Sequence, residues 1–307
     1  MKEINMLIDS IIHRQPIEKG WSGDKKYCVT VSDGTKYLLR VSPAEKYERR
    51  KREFEKMKEV YSLGIPMAKP IEFGICDEGV YTVESFIDGS DAEPVICGLT
   101  PEKQYSYGID AGRILAKLHT IPAPPDAERW DVRFNAKIDR KIEMYEKCEL
   151  KYDNGQPFID YIAENRKYLT DRPQTYQHGD YHIGNMMIDR NGILNIIDFD
   201  RDDHGDPWEE FNRIVWCVPN MPYFASGMVD GYFEFNIPAE FWKLLAIYIC
   251  SNTLSSLPWA IPFGEKEIAT MKNQANDVLK WYGNMTKDVP NWYISPEAVQ
   301  ASRSGTL

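Results

Sequence analysis

Within HGDYHIGNMMID, residues 178 to 189, a histidine, an aspartate, a second histidine and an asparagine fall inside eight positions, and a strand-like run follows. Asp180 and Asn185 lie five apart, and Asp198 comes thirteen later in IIDFD. A hairpin turning at Asn191-Gly192 would return the end of its second strand to the loop that began it. The spacing therefore predicts that Asp180, Asn185 and Asp198 converge. A carboxylate with an amide oxygen is a hard, incomplete ligand set that suits Mg²⁺ shared with substrate phosphates, and the other aspartate is left to accept a proton. His178 and His182 allow a different chemistry, because two histidines flanking an aspartate can bind zinc. The other histidines, His13, His119 and His204, have no ligand-like spacing.

These side chains need elements to hold them. Ile4, Leu7, Ile8, Ile11 and Ile12 recur at helical spacing and predict a short amphipathic helix. The period then changes. Strands are expected around 15 to 21, at 27 to 32 and at 36 to 42, the last two joined across Asp33-Gly34-Thr35. A charged helix over 44 to 63 is closed by Gly64 and Pro66, and two more strands follow near 70 to 75 and 80 to 84. Helices are expected at 101 to 120, 132 to 150, 156 to 169, 207 to 217, 238 to 256 and 265 to 285, interrupted by short strands at 186 to 189 and 193 to 197. The fold class is α+β. A five-stranded antiparallel sheet with one inserted helix forms an N-terminal lobe over 1 to 84, 85 to 91 is a linker, and 92 to 290 is a mainly helical C-terminal lobe. A loosely packed tail at 291 to 307 completes the chain, with a cleft expected between the two lobes.

HGDYHIGN followed by IIDFD resembles the catalytic motif of the aminoglycoside phosphotransferase and choline kinase superfamily, closest in motif to the aminoglycoside phosphotransferases. The resemblance covers about 18 to 215 and implies a bilobal protein-kinase-like fold that transfers the γ-phosphoryl group of ATP, or of GTP, to a small-molecule hydroxyl with Mg²⁺. It implies Asp180 as the catalytic base and Asn185 and Asp198 as metal ligands. KGWSGDKKY looks like the family's nucleotide loop through Gly20, Ser22 and Gly23. Glu53 fits the helical glutamate that holds a cation, and the Ser85 carbonyl with the Ile87 amide looks like the adenine-binding hinge. His178, His182 and Asp206 are implied to brace the catalytic loop. One position departs: Arg40 stands where the family usually has lysine, which keeps the charge and leaves open a nucleotide-binding pseudokinase.

A net charge of −10 on 307 residues argues against nucleic-acid binding, and 43% hydrophobic with 27% charged residues is ordinary for a globular chain. Six cysteines without a CxxC pair are expected to be reduced thiols of a cytoplasmic protein. FWKLLAIYIC, 241 to 250, is too short to span a bilayer and is expected to be a buried helix, so no membrane partner is expected. DFDRDDHGDPWEEF, 198 to 211, is strongly acidic; Asp202, Asp203 and Glu209 are candidates for a negative rim that attracts a cationic hydroxylated substrate, with an ordinary solvated turn as the other reading. An aminoglycoside is the leading expectation, and antibiotic modification with it; choline-like amino-alcohols, macrolides and sugar metabolites are the alternatives. Trp208, Trp216 and Trp259 are expected in the core.

Overall fold

The computed structural model describes residues 7–18 and 23–303, with Ser302 and Arg303 described in their backbone only. Its chain forms two compact units, one of residues 1–92 with 185–200 and one of residues 93–184 with 201–307.

In the first unit, β1 (Ile11–Pro16), β2 (Lys25–Val31), β3 (Lys36–Ser42), β4 (Pro70–Cys76) and β5 (Gly79–Ser85) build one antiparallel sheet in the order β1-β2-β3-β5-β4. Alternation of apolar residues places Val29, Leu39, Val41, Tyr81 and Val83 together as its core. The β2–β3 turn forms as expected. Gly34 takes a φ of +86°, where a side chain would be strained, and the Asp33 carboxylate accepts from the Thr35 amide at 2.8 Å. The amphipathic helix expected at the N-terminus is not formed over its described part: Leu7–Ser10 is a single 3₁₀ turn, and Ile11 and Ile12 already belong to β1. Pairing of Ile11 with Val31 supplies a sheet partner that overrides the helical spacing.

Between β3 and β4 a 3₁₀ turn (Ala44–Lys46) leads into α1 (Tyr47–Ser62), which lays Phe54 against Phe73 at 5.7 Å between ring centres. Gly64, at a φ of +70°, ends it by donating to the Tyr61 carbonyl at 2.9 Å. A small sheet completes the unit from distant segments, β6 (Gly89–Asp91), β8 (Met186–Asp189) and β9 (Leu194–Ile196), in the order β6-β8-β9. Its β8–β9 hairpin turns at Asn191-Gly192 as expected, with Gly192 at a φ of +78°. The strand β6 inside the expected linker was not foreseen, because GSD has no apolar alternation to announce it.

In the second unit, α3 (Pro101–Leu118), α4 (Trp130–Lys147), α5 (Gln156–Asn165), α6 (Pro222–Tyr232), α7 (Ala239–Ala260), α8 (Glu265–Trp281) and α9 (Pro296–Arg303) follow α2 (Ala92–Cys97), and β7 (Thr175–Gln177) pairs with β10 (Asp203–Gly205). Helix α6 was not expected, nor were β7 and β10, whose three residues each are too short for a period to show. The α3–α6 contact is backbone-close: a Cβ on Gly108 would collide with the Phe224 carbonyl, and one on Gly231 with the Ile109 carbonyl. Helix α7 packs against α4, α5, α8 and the 3₁₀ segment Pro207–Trp216, burying residues on every side. By length and composition Ala239–Phe263 could cross a bilayer, but most of its apolar part is buried inside the fold, as in the core helix of a globular protein.

Two expectations are corrected in this unit. Trp216 and Trp259 are 37% and 53% exposed rather than core. The stretch from 291, read as a loose tail, buries Trp292 and Val299, and the Tyr293 hydroxyl donates to Asp230 at 2.7 Å. Apolar anchors spaced among polar residues, without a clear period, hid that packing in the sequence.

Candidate active site

Strand β7 delivers the chain into the His178-Gly179-Asp180 turn, and a buried carboxylate grips that turn. Glu210 accepts from the His178 and Gly179 amides, each at 2.7 Å, while His119 Nε2 lies 3.2 Å from one of its oxygens. His119 also meets the Tyr232 hydroxyl at 2.9 Å, so its expected packing role takes part in holding this loop. Gly179 has a φ of +80°, and a Cβ there would strike the Arg201 carbonyl, so the turn requires glycine. His178 is fully buried, and its Nδ1 accepts from the Asp180 amide at 3.3 Å.

His182 Nδ1 accepts from the Gly184 amide at 3.0 Å, and its Nε2 faces Asp180 at 3.7 Å. One ring nitrogen of each histidine thus accepts a backbone amide two residues on. Asp206 is buried and fully engaged. Its carboxylate accepts from Arg172 at 2.7 and 3.1 Å, from the Tyr248 hydroxyl at 2.5 Å and from the Trp208 amide at 3.0 Å, and its carbonyl accepts from Gln177 at 2.8 Å.

Asp180 itself is surrounded by cations. Arg213 Nε lies 3.2 Å from Oδ1 and Arg201 lies 3.5 Å from Oδ2. Burial pushes its carboxyl upward, but His182, Arg213 and Arg201 together outweigh burial and hold it below the usual carboxylate range. Asp180 is therefore ionised at any neutral pH.

In the first unit the β8–β9 hairpin has Asn185 just before its first strand and Asp198 two residues beyond its second. Met186 pairs with Ile196, and the Ile197 amide donates to the Asn185 carbonyl at 3.0 Å, so Asp198 emerges one residue beyond Asn185's partner. Asp198 holds a φ of +68°, a strained conformation for any residue but glycine, asparagine or aspartate. Its Oδ1 is buried and has no hydrogen-bond partner among the described residues. A buried carboxylate oxygen is costly when unpaired, and a cation at that oxygen removes the cost, so the residues fit a Mg²⁺ ion held by Asn185 and Asp198.

Arg40 is where the expectation fails in detail. It was expected to pair with Glu53. Instead Arg40 binds Asp200, while Glu53 takes Arg50 at 2.5 Å and Arg49 at 2.7 Å, its neighbours at i−3 and i−4 on α1. Arg50 is itself buried and also holds Asp24, Ser42 (3.0 Å) and Asp200 (3.0 Å). Asp200 sits too far along the sequence, 160 residues from Arg40, for any local pattern to reveal it. Burial favours its protonation, but the two arginines win and keep it ionised. Glu84, on β5 beside this network, is pushed up to about 7 by burial, against the pull of Arg40.

Of the expected nucleotide loop, Gly20 and Ser22 lie outside the described residues, and Gly23 has open space where a side chain would stand. Ser85 ends β5, its amide donating to the Lys69 carbonyl at 2.9 Å, and Ile87 lies beyond the ladder in the three residues before β6.

The expected negative rim is not free. Asp203 is bound by Arg133 at 2.9 Å, Glu209 by Lys137 at 3.3 Å, and Asp202 is half-buried with interactions of its own. The cations come from α4, some 70 positions upstream, which is why the acidic run looked unpaired in the sequence. Arg213 was missed altogether. It is one basic residue in WEEFNRIVW with no local signal of its role.

A five-stranded antiparallel sheet with one helix inserted after its third strand, joined to a mainly helical unit, is a protein-kinase-like fold. The chain belongs to the phosphotransferase enzyme family (APH), whose profile matches residues 13–241. Among solved structures it resembles a thermostable mutant of aminoglycoside phosphotransferase APH(4)-Ia in ternary complex with ADP and hygromycin B, with 16% identity, a TM-score of 0.61, and 88% of this chain and 94% of that one covered. It also resembles a choline/ethanolamine kinase family protein from Mesorhizobium loti, with 17% identity, a TM-score of 0.62, and coverage of 99% and 96%. Mitogen-activated protein kinase kinase kinase 1a of Physcomitrium patens is 27% identical over 124 residues; that match takes in 40% of this chain, which spans only 15% of that relative's length.

Proposed function

We propose that this protein is an ATP-dependent kinase that phosphorylates a hydroxyl of a small molecule. The observation that carries the reading is Asp198, whose buried carboxylate oxygen has no hydrogen-bond partner among the described residues, at the end of a hairpin that begins after Asn185, in a chain of the phosphotransferase family. Asn185 and Asp198 are the residues to hold Mg²⁺, which when bound neutralises the phosphate charge that builds up during transfer. Asp180, ionised and fixed by Arg213 and the Glu210-held turn, orients the acceptor hydroxyl and takes its proton as transfer proceeds. Six free cysteines suit a reducing compartment, in keeping with action in the cytoplasm. The cationic acceptor expected from the acidic run draws no support from Asp203 or Glu209, since both are neutralised internally.

A second reading, nucleotide binding without transfer, is favoured by one observation: Arg40 binds Asp200 rather than the α1 glutamate. Turnover separates the two. ATP consumption with Mg²⁺ and a panel of small alcohols is expected from the wild type, and Asp180→Ala is expected to lower kcat by roughly 10²–10⁴-fold with nucleotide affinity little changed. Near-normal turnover by Asp180→Ala would remove it from the base's role, and nucleotide binding with no turnover of any alcohol would favour the second reading.

A further inference from the structure

Helix α4 presents Arg133, Lys137 and Lys141 at four-residue intervals, so they form one stripe along its length. The first two are matched by Asp203 and Glu209. Lys141 makes no ion pair among the described residues, although it is half-buried. Its surroundings are known from both sides. Lys141 feels Lys137, Arg140 and Arg213 as like charges and Glu209 as an attractive neighbour, and Glu209 in turn feels Lys137, Lys141 and Arg213. Arg213 is the residue that touches Asp180, and Arg201 closes on the other Asp180 oxygen.

One contiguous cluster thus runs from the candidate catalytic carboxylate to the middle of α4. It holds four cations, Lys137, Lys141, Arg201 and Arg213, against two anions, Asp180 and Glu209. A protein does not ordinarily gather more basic groups than carboxylates in a partly buried place, because each positive charge lowers the stability of the others. Burial and then Lys137 depress the Lys141 ammonium to about 7, with Arg213 and Arg140 adding to the effect and Glu209 opposing it. The strain would be relieved by a ligand that brings the missing negative charge.

We propose that the acceptor alcohol carries an oxyanion, a carboxylate or phosphate group, that Lys141 and Arg213 bind while its hydroxyl is presented to Asp180. This rests on the kinase reading above and replaces the cationic acceptor expected from the acidic run with an anionic one. Arg213 then does two things, holding Asp180 and contacting the acceptor, whereas Lys141 contacts the acceptor alone. It is Lys141 that discriminates the proposal from a purely structural cluster.

The test uses the full chain with Mg²⁺ and AMP-PNP and a charge series on one carbon skeleton: gluconate, glucose and glucosamine. Binding is read by calorimetry at low salt. Gluconate is expected to bind more tightly than the other two, Lys141→Gln to weaken it by roughly tenfold, and Lys141→Arg to restore most of the loss. AMP-PNP affinity and the melting temperature should move little in either variant, which separates a lost contact from a damaged fold. Gluconate binding should also tighten as pH falls from about 8 to 6, since its carboxylate stays ionised while Lys141 gains its proton. Equal or tighter binding of glucosamine, binding of none of the three, or indifference of gluconate binding to Lys141→Gln would overturn the proposal. AMP-PNP binding and alcohol-dependent ATP turnover, measured in parallel, show whether the kinase reading fails with it or stands alone.

Discussion

Glu84 shows how far a single side chain can be moved by its place in the fold. It is 7% exposed, and burial, then Asp200, raises its carboxyl from 4.5 to about 7, with Arg40, Lys26 and Arg50 only partly offsetting this. A raised carboxyl means that the folded state holds a proton which the unfolded chain releases earlier. The stability this contributes is fully present below about 4.5 and is lost as pH rises through about 7. The loss amounts to about 3 kcal/mol, taking about 1.4 kcal/mol for each unit of displacement. Glu84→Gln stays neutral at every pH, so its denaturation midpoint is expected to fall less than that of the wild type between about pH 5 and about pH 8. Parallel curves for the two proteins in urea titrations would show that Glu84 is not the group responsible. Asp180 has the opposite character, held ionised by His182, Arg213 and Arg201, and the contrast follows from what stands beside each carboxylate rather than from burial alone.

At the scale of elements, the His178-Gly179-Asp180 turn is held by Glu210, which is itself buried. Glu210 sits on the 3₁₀ segment after β10 and receives two amides of the His178-Gly179 turn as well as His119 from the end of α3. Replacing it by alanine leaves those amides buried without an acceptor, at a cost of roughly 1–3 kcal/mol for each. Glu210→Ala is therefore expected to lower stability by about 2–5 kcal/mol, at the upper range for single substitutions. It should also lower kcat more than it raises nucleotide Kd, since the amides it holds precede Asp180 directly. Differential scanning calorimetry and nucleotide titration together check this. Unchanged stability would mean that water replaces the carboxylate and that the turn does not depend on Glu210.

At the scale of the whole molecule, the N-terminal sheet is not a self-contained stretch of chain. Its unit includes residues 185–200, which bring β8, the partner of β6, and Asp200, the counter-charge of both Arg40 and Arg50. A fragment ending at residue 92 leaves Arg40 without its closest anion in a half-buried place, and removing one partner of a buried pair costs several kcal/mol. Such a fragment is expected to show no cooperative thermal transition by circular dichroism, and joining 185–200 to it through a flexible linker is expected to restore one. A sharp transition from 1–92 alone would show that the sheet core of Val29, Leu39, Val41, Tyr81 and Val83 suffices by itself.

What the sequence determined was local. Strand alternation, the Asp33-Gly34 and Asn191-Gly192 turns and the helical runs from 101 onward placed most elements within a few residues, because period and turn chemistry act between neighbours. The hairpin between Asn185 and Asp198 was legible for the same reason, its turn lying at Asn191-Gly192. The structure decided everything that depends on which charge meets which. Arg40 meets Asp200 and not Glu53, Asp203 and Glu209 meet α4, and Arg213 meets Asp180. Each of these pairs joins segments tens of residues apart in the chain. A charge carries no mark of its partner until packing has brought them within a few ångströms, so an acidic run that reads as a cation-seeking surface becomes, once folded, part of a cluster with positive charge to spare.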